Sequence, residues 1–133
     1  MTRINVIPVQ ELCDKHLLAE TRELVRIPNT INSGKAILNG CYPERYVLGA
    51  GHVRFFYPRL KWLHKRYLEL YAECKLRGFN VTFMWPETVP EALYGDYIVT
   101  NDDILLNRAR LAIRMPLKAK FTARGRCDAI QTY

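Results

Sequence analysis

Two groups near the start of the chain could carry out nucleophilic chemistry together. A small residue, Thr2, follows Met1 and favours removal of the initiator methionine, which would leave an α-amine on Thr2. An α-amine has an ordinary pKa of about 7.7–8.0, and nearby arginines would lower that pKa further, so a meaningful fraction is neutral at physiological pH. A neutral amine can attack an electrophilic sugar carbon and form an imine. The alternative is that Thr2 only begins an N-terminal arm.

The second group is the carboxylate of Glu23. It lies between Arg22 and Arg26 in the run RELVR, which has helical character. Flanking guanidinium groups favour the ionised form of a carboxylate, and such a group can stabilise an oxocarbenium-like sugar or move a proton. The alternative is an ordinary solvated, ion-paired helix face. We predict that Thr2 is the nucleophile and Glu23 its acidic partner.

Arginines elsewhere suit a phosphate cradle around these two groups. Such contacts would position DNA without reading its sequence. His16 lies seven residues before Glu23, which is two helical turns, so we expect both side chains on one helix face. The candidate phosphate contacts are Arg3 on the arm, Arg22 and Arg26 on the first helix, and Arg110 and Arg114 on the third. The alternative is scattered surface charge.

The composition agrees with an anionic partner. The chain has 133 residues, an ordinary apolar fraction of 49%, and a formal net charge of +7. A charge this high for the size indicates nucleic acid first and an acidic membrane surface second, against the alternative of an inert basic surface. The length predicts a single domain, residues 1–133.

Cysteine and histidine spacing argues against a metal site. The four cysteines form no CxxC pair and the three histidines form no HExxH motif, so we expect no metal. No apolar run is long enough to span a bilayer and no signal peptide is evident, so we expect a cytoplasmic protein with reduced thiols.

The elements that must position these groups are predicted to be helical. Residues 2–9 are expected to form an extended arm, and a first helix is expected from about residue 10 to about 27. Pro28 should weaken this helix, which could resume briefly before Gly34. Residues 34–51 are interrupted by glycine and proline and should be irregular. Within them, Gly49-Ala50-Gly51 allows a close backbone approach, to a helix or to a phosphate.

A second helix is predicted from about Pro58 to Arg77, with Gly78 as its C-terminal cap. Its core stripe would be Leu60, Leu63, His64, Tyr67, Leu70, Tyr71 and Cys74, and its polar face Arg59, Lys61, Lys65, Arg66, Glu69, Glu73 and Lys75. We expect His64 to be a satisfied core histidine. Residues 78–100 should be a surface connection turned away from the anionic partner.

A third helix should begin at a cap provided by Thr100 or Asn101 and end at Pro116. We expect an apolar side formed by Ile104, Leu105, Ala109 and Ala112.

Several motifs together resemble one family. They are MTRIN at the start, ELCDKHLLAETREL with Arg26 following, LGAGHVRFFYPRL, AECKLRGFN, GDYI at 95–98 and ARL at 109–111. The chain resembles the phage-type pyrimidine-dimer DNA glycosylase/AP lyase, the UV-repair endonuclease V family. The resemblance covers residues 1–115, with one short deletion in the 28–45 region.

This resemblance implies a compact all-α domain of three main helices with long loops, in which the N-terminal arm passes between helices. It implies that Thr2 forms the imine and that Glu23 is the essential acid. Arg22 and Arg26 would bind phosphate, Arg3 and His16 would support the site, and Arg110 and Arg114 would contact the backbone.

It further implies a monomer that kinks damaged double-stranded DNA and extrudes a base opposite the lesion, with no cofactor, metal or membrane. Glycosyl cleavage would be followed by β-elimination.

The C-terminal tail departs from the family. Relatives carry a tail rich in Trp and Tyr that is tied to dimer recognition, whereas the corresponding LKAKFTARGR has Phe121 as its only aromatic residue. Position 15, often an amide in relatives, is Lys15. The lesion could therefore be a cyclobutane dimer, another modified base or an abasic site, and a non-catalytic DNA-binding protein stays an alternative.

Overall fold

The computed structural model describes residues 4–122; residues 1–3 and 123–133 lie outside the described part of the chain. Within residues 4–122 there are four α-helices: α1 (Asp14–Asn32), α2 (His52–Phe56), α3 (Leu60–Leu76) and α4 (Asn101–Arg114). Short 3-10 turns occur at Val9–Glu11 and Glu91–Leu93, and residues 4–122 contain no β-strand. The prediction of an all-α fold with three main helices is confirmed.

Helices α1 and α3 form the main packed pair. The core cluster contains fully buried leucines from both helices: Leu17 and Leu24 of α1, and Leu63 and Leu70 of α3. Each such leucine contributes about 1.5–3 kcal/mol through removal of its side chain from water. Phe55 and Phe56 of α2, together with Tyr46, close one end of this cluster.

The first helix differs from the prediction at both ends. The 3-10 turn Val9–Glu11 precedes it, and α1 itself begins at Asp14. It continues through Pro28 to Asn32 rather than weakening at Ile27. Proline costs a helix interior roughly 3 kcal/mol. Ile27, Pro28 and Ile31 are buried, and this packing offsets the loss.

The second helix was placed nearly correctly, since α3 spans Leu60–Leu76 and Gly78 has a positive φ of 88° after its end. The predicted division of its faces was wrong at three residues. Arg66 and Glu73 are buried rather than exposed. His64 is not in the core; its ring stacks on Trp85 with centroids 4.8 Å apart and contacts the Tyr94 hydroxyl.

The third long helix, α4, begins with a complete capping box. Thr100 Oγ1 accepts a hydrogen bond from the Asp103 backbone N–H, and the Asp103 carboxylate accepts one from the Thr100 N–H. The expected apolar side was correct only for Ile104, which packs against the core. Leu105 is 64% exposed, Ala109 and Ala112 are also exposed, and the buried residue of this helix is Asn107. The buried polar contact of Asn107 therefore docks α4 together with the partly buried Ile104 and Leu111.

Residues after α4 return to the start of α1. The Asp14 backbone N–H donates to the Lys120 carbonyl at 2.8 Å, and the Asp14 carboxylate accepts hydrogen bonds from Thr122 and from Arg77. Burial raises the pKa of Asp14, but the Thr122 and Arg77 bonds outweigh that effect and the net pKa is lowered. The described end of the chain thus lies beside the N-terminus of α1.

Candidate active site

A cavity of about 200 Å³ lies between α1, α2 and the N-terminal arm. It combines one carboxylate, one guanidinium and one imidazole with apolar and hydroxyl groups. Its lining residues are Ile4, Glu23, Arg26, Ile27, Thr30, His52, Val53 and Tyr57. Two sequence-predicted site residues, Glu23 and Arg26, therefore share a concave surface with the arm.

Glu23 is held in this cavity by its two neighbouring arginines. Its carboxylate lies 3.2 Å from Arg26 Nη1 and 4.0 Å from Arg22 Nε. The Glu23 side chain is 15% exposed, whereas those of Arg22 and Arg26 are 48% and 65% exposed. The carboxylate is thus recessed and the two guanidinium groups are accessible. An anion such as a phosphate can therefore bind the guanidinium groups beside the carboxylate.

Two hydrogen bonds to Ile4, the first described residue of the arm, fix the arm at the cavity that contains Glu23. The Ile4 backbone N–H donates to His52 Nε2 at 2.8 Å, and the Ile4 carbonyl accepts from the Tyr46 hydroxyl at 2.7 Å. Ile4 is 2% exposed and lines the same cavity as Glu23. Thr2 and Arg3, predicted as site residues, lie outside the described residues.

A buried polar network fixes the rest of the arm. Asn5 Nδ2 donates to Glu20 of α1 at 2.8 Å, and Asn5 Oδ1 accepts from Asn107 of α4 at 2.7 Å. Asn107 Oδ1 accepts from the Val6 N–H at 2.7 Å. Arg66 of α3 forms a two-point ion pair with Glu20, with Nε 2.8 Å and Nη2 3.1 Å from the carboxylate oxygens.

Arg66 also donates to the Ile7 carbonyl at 2.5 Å. Residues 4–7 are therefore bonded to all four helices, and the expectation of an arm passing between helices is confirmed. Buried polar groups of this kind are costly unless satisfied, so the network specifies one path for the arm.

His16 lies in a different place from Glu23. It lines a second cavity, of about 180 Å³, between the arm and α4, together with Glu11 and Arg108. Burial lowers the pKa of His16, and a hydrogen bond to the Arg114 backbone partly opposes this. Although seven residues apart on α1, His16 and Glu23 do not share a cavity.

Arg110 and Arg114 lie on α4, and neither lines the cavity that contains Glu23. Arg114 is exposed near the C-terminus of α4, and Arg110 is partly buried. Arg108, beside them, is paired with Glu11 at 2.7 Å. The α4 arginines are therefore not part of the lining of the cavity that contains Glu23 and Arg26.

Three residues of the site escaped the sequence analysis: His52, Asn107 and Asn5. His52 follows Gly51, whose φ of 90° begins α2 in the left-handed region. A Cβ on Gly51 would lie 3.0 Å from Pro43, whereas one on Gly49 would meet nothing within 4 Å. The requirement for glycine at position 51 was the sequence signal next to His52. It has two causes, the left-handed φ and the close approach of the Pro43 side chain.

No group of three or more His, Cys, Asp or Glu side chains within residues 4–122 is arranged to hold a metal ion. Among these same residues, no helix has the length and hydropathy that crossing a bilayer requires.

Comparison with protein families shows the family of this chain. The family model described as pyrimidine dimer DNA glycosylase matches residues 1–87. The chain belongs to the pyrimidine dimer DNA glycosylase family. DNA is therefore its partner, and breakage of a base–sugar bond is the family's chemistry. The match includes the arm, α1 and α2 with the whole cavity around Glu23, and α3, but it ends before α4.

Proposed function

We propose that this member of the family excises one base of a cyclobutane pyrimidine dimer in duplex DNA and then cuts the strand by β-elimination. The observation that carries the proposal is that Ile4 and Glu23 line one cavity. Two residues span at most about 7 Å, so an α-amine on Thr2 is tethered within reach of the Glu23 carboxylate. Removal of Met1 supplies that amine.

The proposed chemistry begins with attack of the Thr2 amine on C1′ of the damaged nucleotide. The bond between C1′ and the base nitrogen breaks, its electron pair leaves with the base, and the base takes up a proton. The amine nitrogen then loses a proton and its electron pair forms the C=N bond, while O4′ leaves C1′ with the bonding electron pair and takes up a proton; the product is the imine. Removal of a C2′ proton then expels the 3′ phosphate, and water hydrolyses the imine.

Glu23 has two roles in these reaction steps. Its negative charge lies where the sugar becomes cationic, in a recess where electrostatic interactions are stronger than in water. Its oxygens can also take up and return protons. The exposed Arg22 and Arg26 bind the phosphates on either side, and the predicted contacts of Arg3, Arg110 and Arg114 extend that binding along the backbone.

A second candidate substrate is a pre-formed abasic site or another modified base. The observation that favours it is the tail: in the stretch after Pro116, LKAKFTARGR, the only aromatic side chain is Phe121. Cleavage at an abasic sugar requires imine formation and β-elimination, but it does not require the protein to recognise a pyrimidine dimer. This substrate would use the same amine and the same acid.

Duplexes that each carry one lesion test the proposal. A duplex with a single thymine dimer, one with an abasic site and one without damage are incubated with the protein, and strand breaks are measured with and without hot alkali. We expect breaks at the dimer without alkali. Breaks at the abasic site alone would favour the second candidate, and no break in any duplex would overturn both.

Glu23→Gln is the matched variant. It keeps the shape of the side chain but removes the charge, and we expect cleavage to slow by about 10²–10⁴-fold. The control is Glu91→Gln, which makes the same chemical change in the separate cavity beside His64 and Trp85. Equal activity of Glu23→Gln and the unmodified protein would show that Glu23 takes no part in the reaction.

A further inference from the structure

We infer that His52 is a positioning residue for the reactive amine: its neutral imidazole holds the arm at Ile4 and so aims the two preceding residues at Glu23. This role rests on the proposed function. His52 is 3% exposed and lines the cavity together with Glu23 and Arg26. The Ile4 N–H, the first described N–H of the arm, donates a hydrogen bond to the His52 ring.

The hydrogen bonds of His52 define one tautomer. The Ile4 N–H can only donate, so His52 Nε2, 2.8 Å away, must accept and carry no proton. The Val47 carbonyl can only accept, so Nδ1, 2.6 Å away, must carry the proton. The imidazole is therefore neutral, with the proton on Nδ1, and both ring nitrogens are bonded to backbone groups.

Two neighbouring aromatic rings pack against the imidazole. The rings of Tyr46 and Phe56 meet it edge-on, with centroids 5.6 and 5.4 Å away. Gly51 sets the start of α2 and hence the position of the His52 backbone. Since Tyr46 also binds the Ile4 carbonyl, the N–H and the C=O of Ile4 are both held.

The consequence concerns the geometry of attack. An amine at the end of a tether reacts efficiently only if the tether points at the sugar carbon, and a displacement of about 1 Å can cost about 100-fold in rate. Both ring nitrogens of His52 are bonded to backbone groups of the protein and are not available to bind DNA. Replacing His52 should therefore lower the rate of imine formation and leave the affinity for DNA largely intact.

The experiment compares His52→Leu with His52→Gln. Leucine removes the acceptor, whereas glutamine presents an amide oxygen close to the position of Nε2. The two readouts are the dissociation constant for a duplex with an abasic site and the single-turnover rate of borohydride-trapped adduct formation at saturating protein. We expect a rate loss of about 100-fold for His52→Leu, less than about 10-fold for His52→Gln, and little change in the dissociation constant of either.

An unchanged trapping rate in a folded His52→Leu would overturn the role, as would a loss confined to the dissociation constant. If His52→Leu does not fold, His52→Asn takes its place, because asparagine can still donate to the Val47 carbonyl but is too short to accept from the Ile4 N–H. An unchanged rate there would equally overturn the role. If the unmodified protein forms no adduct at its N-terminus, the proposed function fails and this role fails with it.

A spectroscopic measurement separates the two failures. The ¹⁵N chemical shifts of the His52 ring in the free protein report its tautomer without any catalysis. We expect an unprotonated Nε2 and a protonated Nδ1. A protonated Nε2 would contradict the bond to Ile4 and overturn the positioning role, whatever the protein does to DNA.

Discussion

At the scale of single residues, Arg26 is the side chain that we propose connects the acid to the DNA. Its guanidinium is 3.2 Å from Glu23, and its side chain is 65% exposed. A cation with this exposure can bind a phosphate without losing its contact with the acid. The sequence predicted the Glu23–Arg26 pair because residues three apart on a helix face each other.

Replacing Arg26 by alanine should weaken binding to all duplexes by a similar factor. Because each phosphate contact releases condensed counterions, the slope of log K against log salt should decrease in magnitude by about 0.9. Fluorescence anisotropy over a range of salt concentrations measures this slope. The control is Lys65→Ala, which removes a cation paired with Asp96 away from the cavity. Equal slopes for the two variants would contradict the assignment of Arg26.

His16 should make the fold sensitive to mild acid. Burial lowers its pKa below the ordinary value of 6.5, so the unfolded chain takes up the proton first as pH falls. Stability from the neutral ring is therefore lost progressively below about pH 6.5, down to the lowered pKa. Urea unfolding of the native protein and of His16→Gln at pH 7 and pH 5 checks this. The native protein should lose more free energy of unfolding, and a larger loss in His16→Gln would contradict the sign.

At the scale of elements, α4 is attached through a buried polar contact. Asn107 is fully buried and satisfies the Val6 N–H and the Asn5 side chain. Local patterns could not predict this contact, because the partners are about a hundred positions apart in the chain. The capping box at Thr100 was predictable from adjacent residues alone, since Asp103 lies three positions later.

Replacing Asn107 by alanine should therefore destabilise the protein. It leaves a buried N–H and a buried amide oxygen without their partner, and we expect a loss of about 2–4 kcal/mol in the free energy of unfolding. Urea titration measures it. Leu105→Ala, on the exposed side of the same helix, should change stability by less than about 0.5 kcal/mol. Comparable losses in the two variants would contradict the docking of α4 through Asn107.

The predictable part of the fold was the part set by local chemistry. Gly78 ended α3 where expected, and the glycine-interrupted residues 34–51 contain no helix. One of the misplaced residues has a distant partner. Arg66 belongs by spacing to a polar face, but its pairing with Glu20 buries it. Pro28 should weaken a helix, but packing of its neighbours maintains α1.

At the scale of the whole molecule, one ion pair joins the arm to the two main helices. Glu20 of α1 and Arg66 of α3 are 0% and 4% exposed at their side chains. Both also bind the arm, through Asn5 and the Ile7 carbonyl. The same pair that stabilises the helix packing therefore also sets the path of the arm towards the cavity.

A double-mutant cycle on this pair measures that connection. Arg66→Met should cost about 3–5 kcal/mol of unfolding free energy, because it leaves the Glu20 carboxylate buried without a counter-charge. Adding Glu20→Gln should restore part of that loss, since the amide is neutral and can still accept from Asn5. Urea unfolding of the four proteins gives the coupling energy, and additive losses would contradict a direct interaction.

The central claim is that the reactive nitrogen is the α-amine of Thr2, brought to Glu23 by the arm. The most direct measurement reduces the protein–DNA intermediate with borohydride on an abasic duplex and locates the adduct by tandem mass spectrometry of the digested protein. We predict a protein that lacks Met1 and carries the sugar remnant on the α-nitrogen of Thr2. A remnant on a lysine Nζ, or a retained Met1 in the active protein, would contradict the claim.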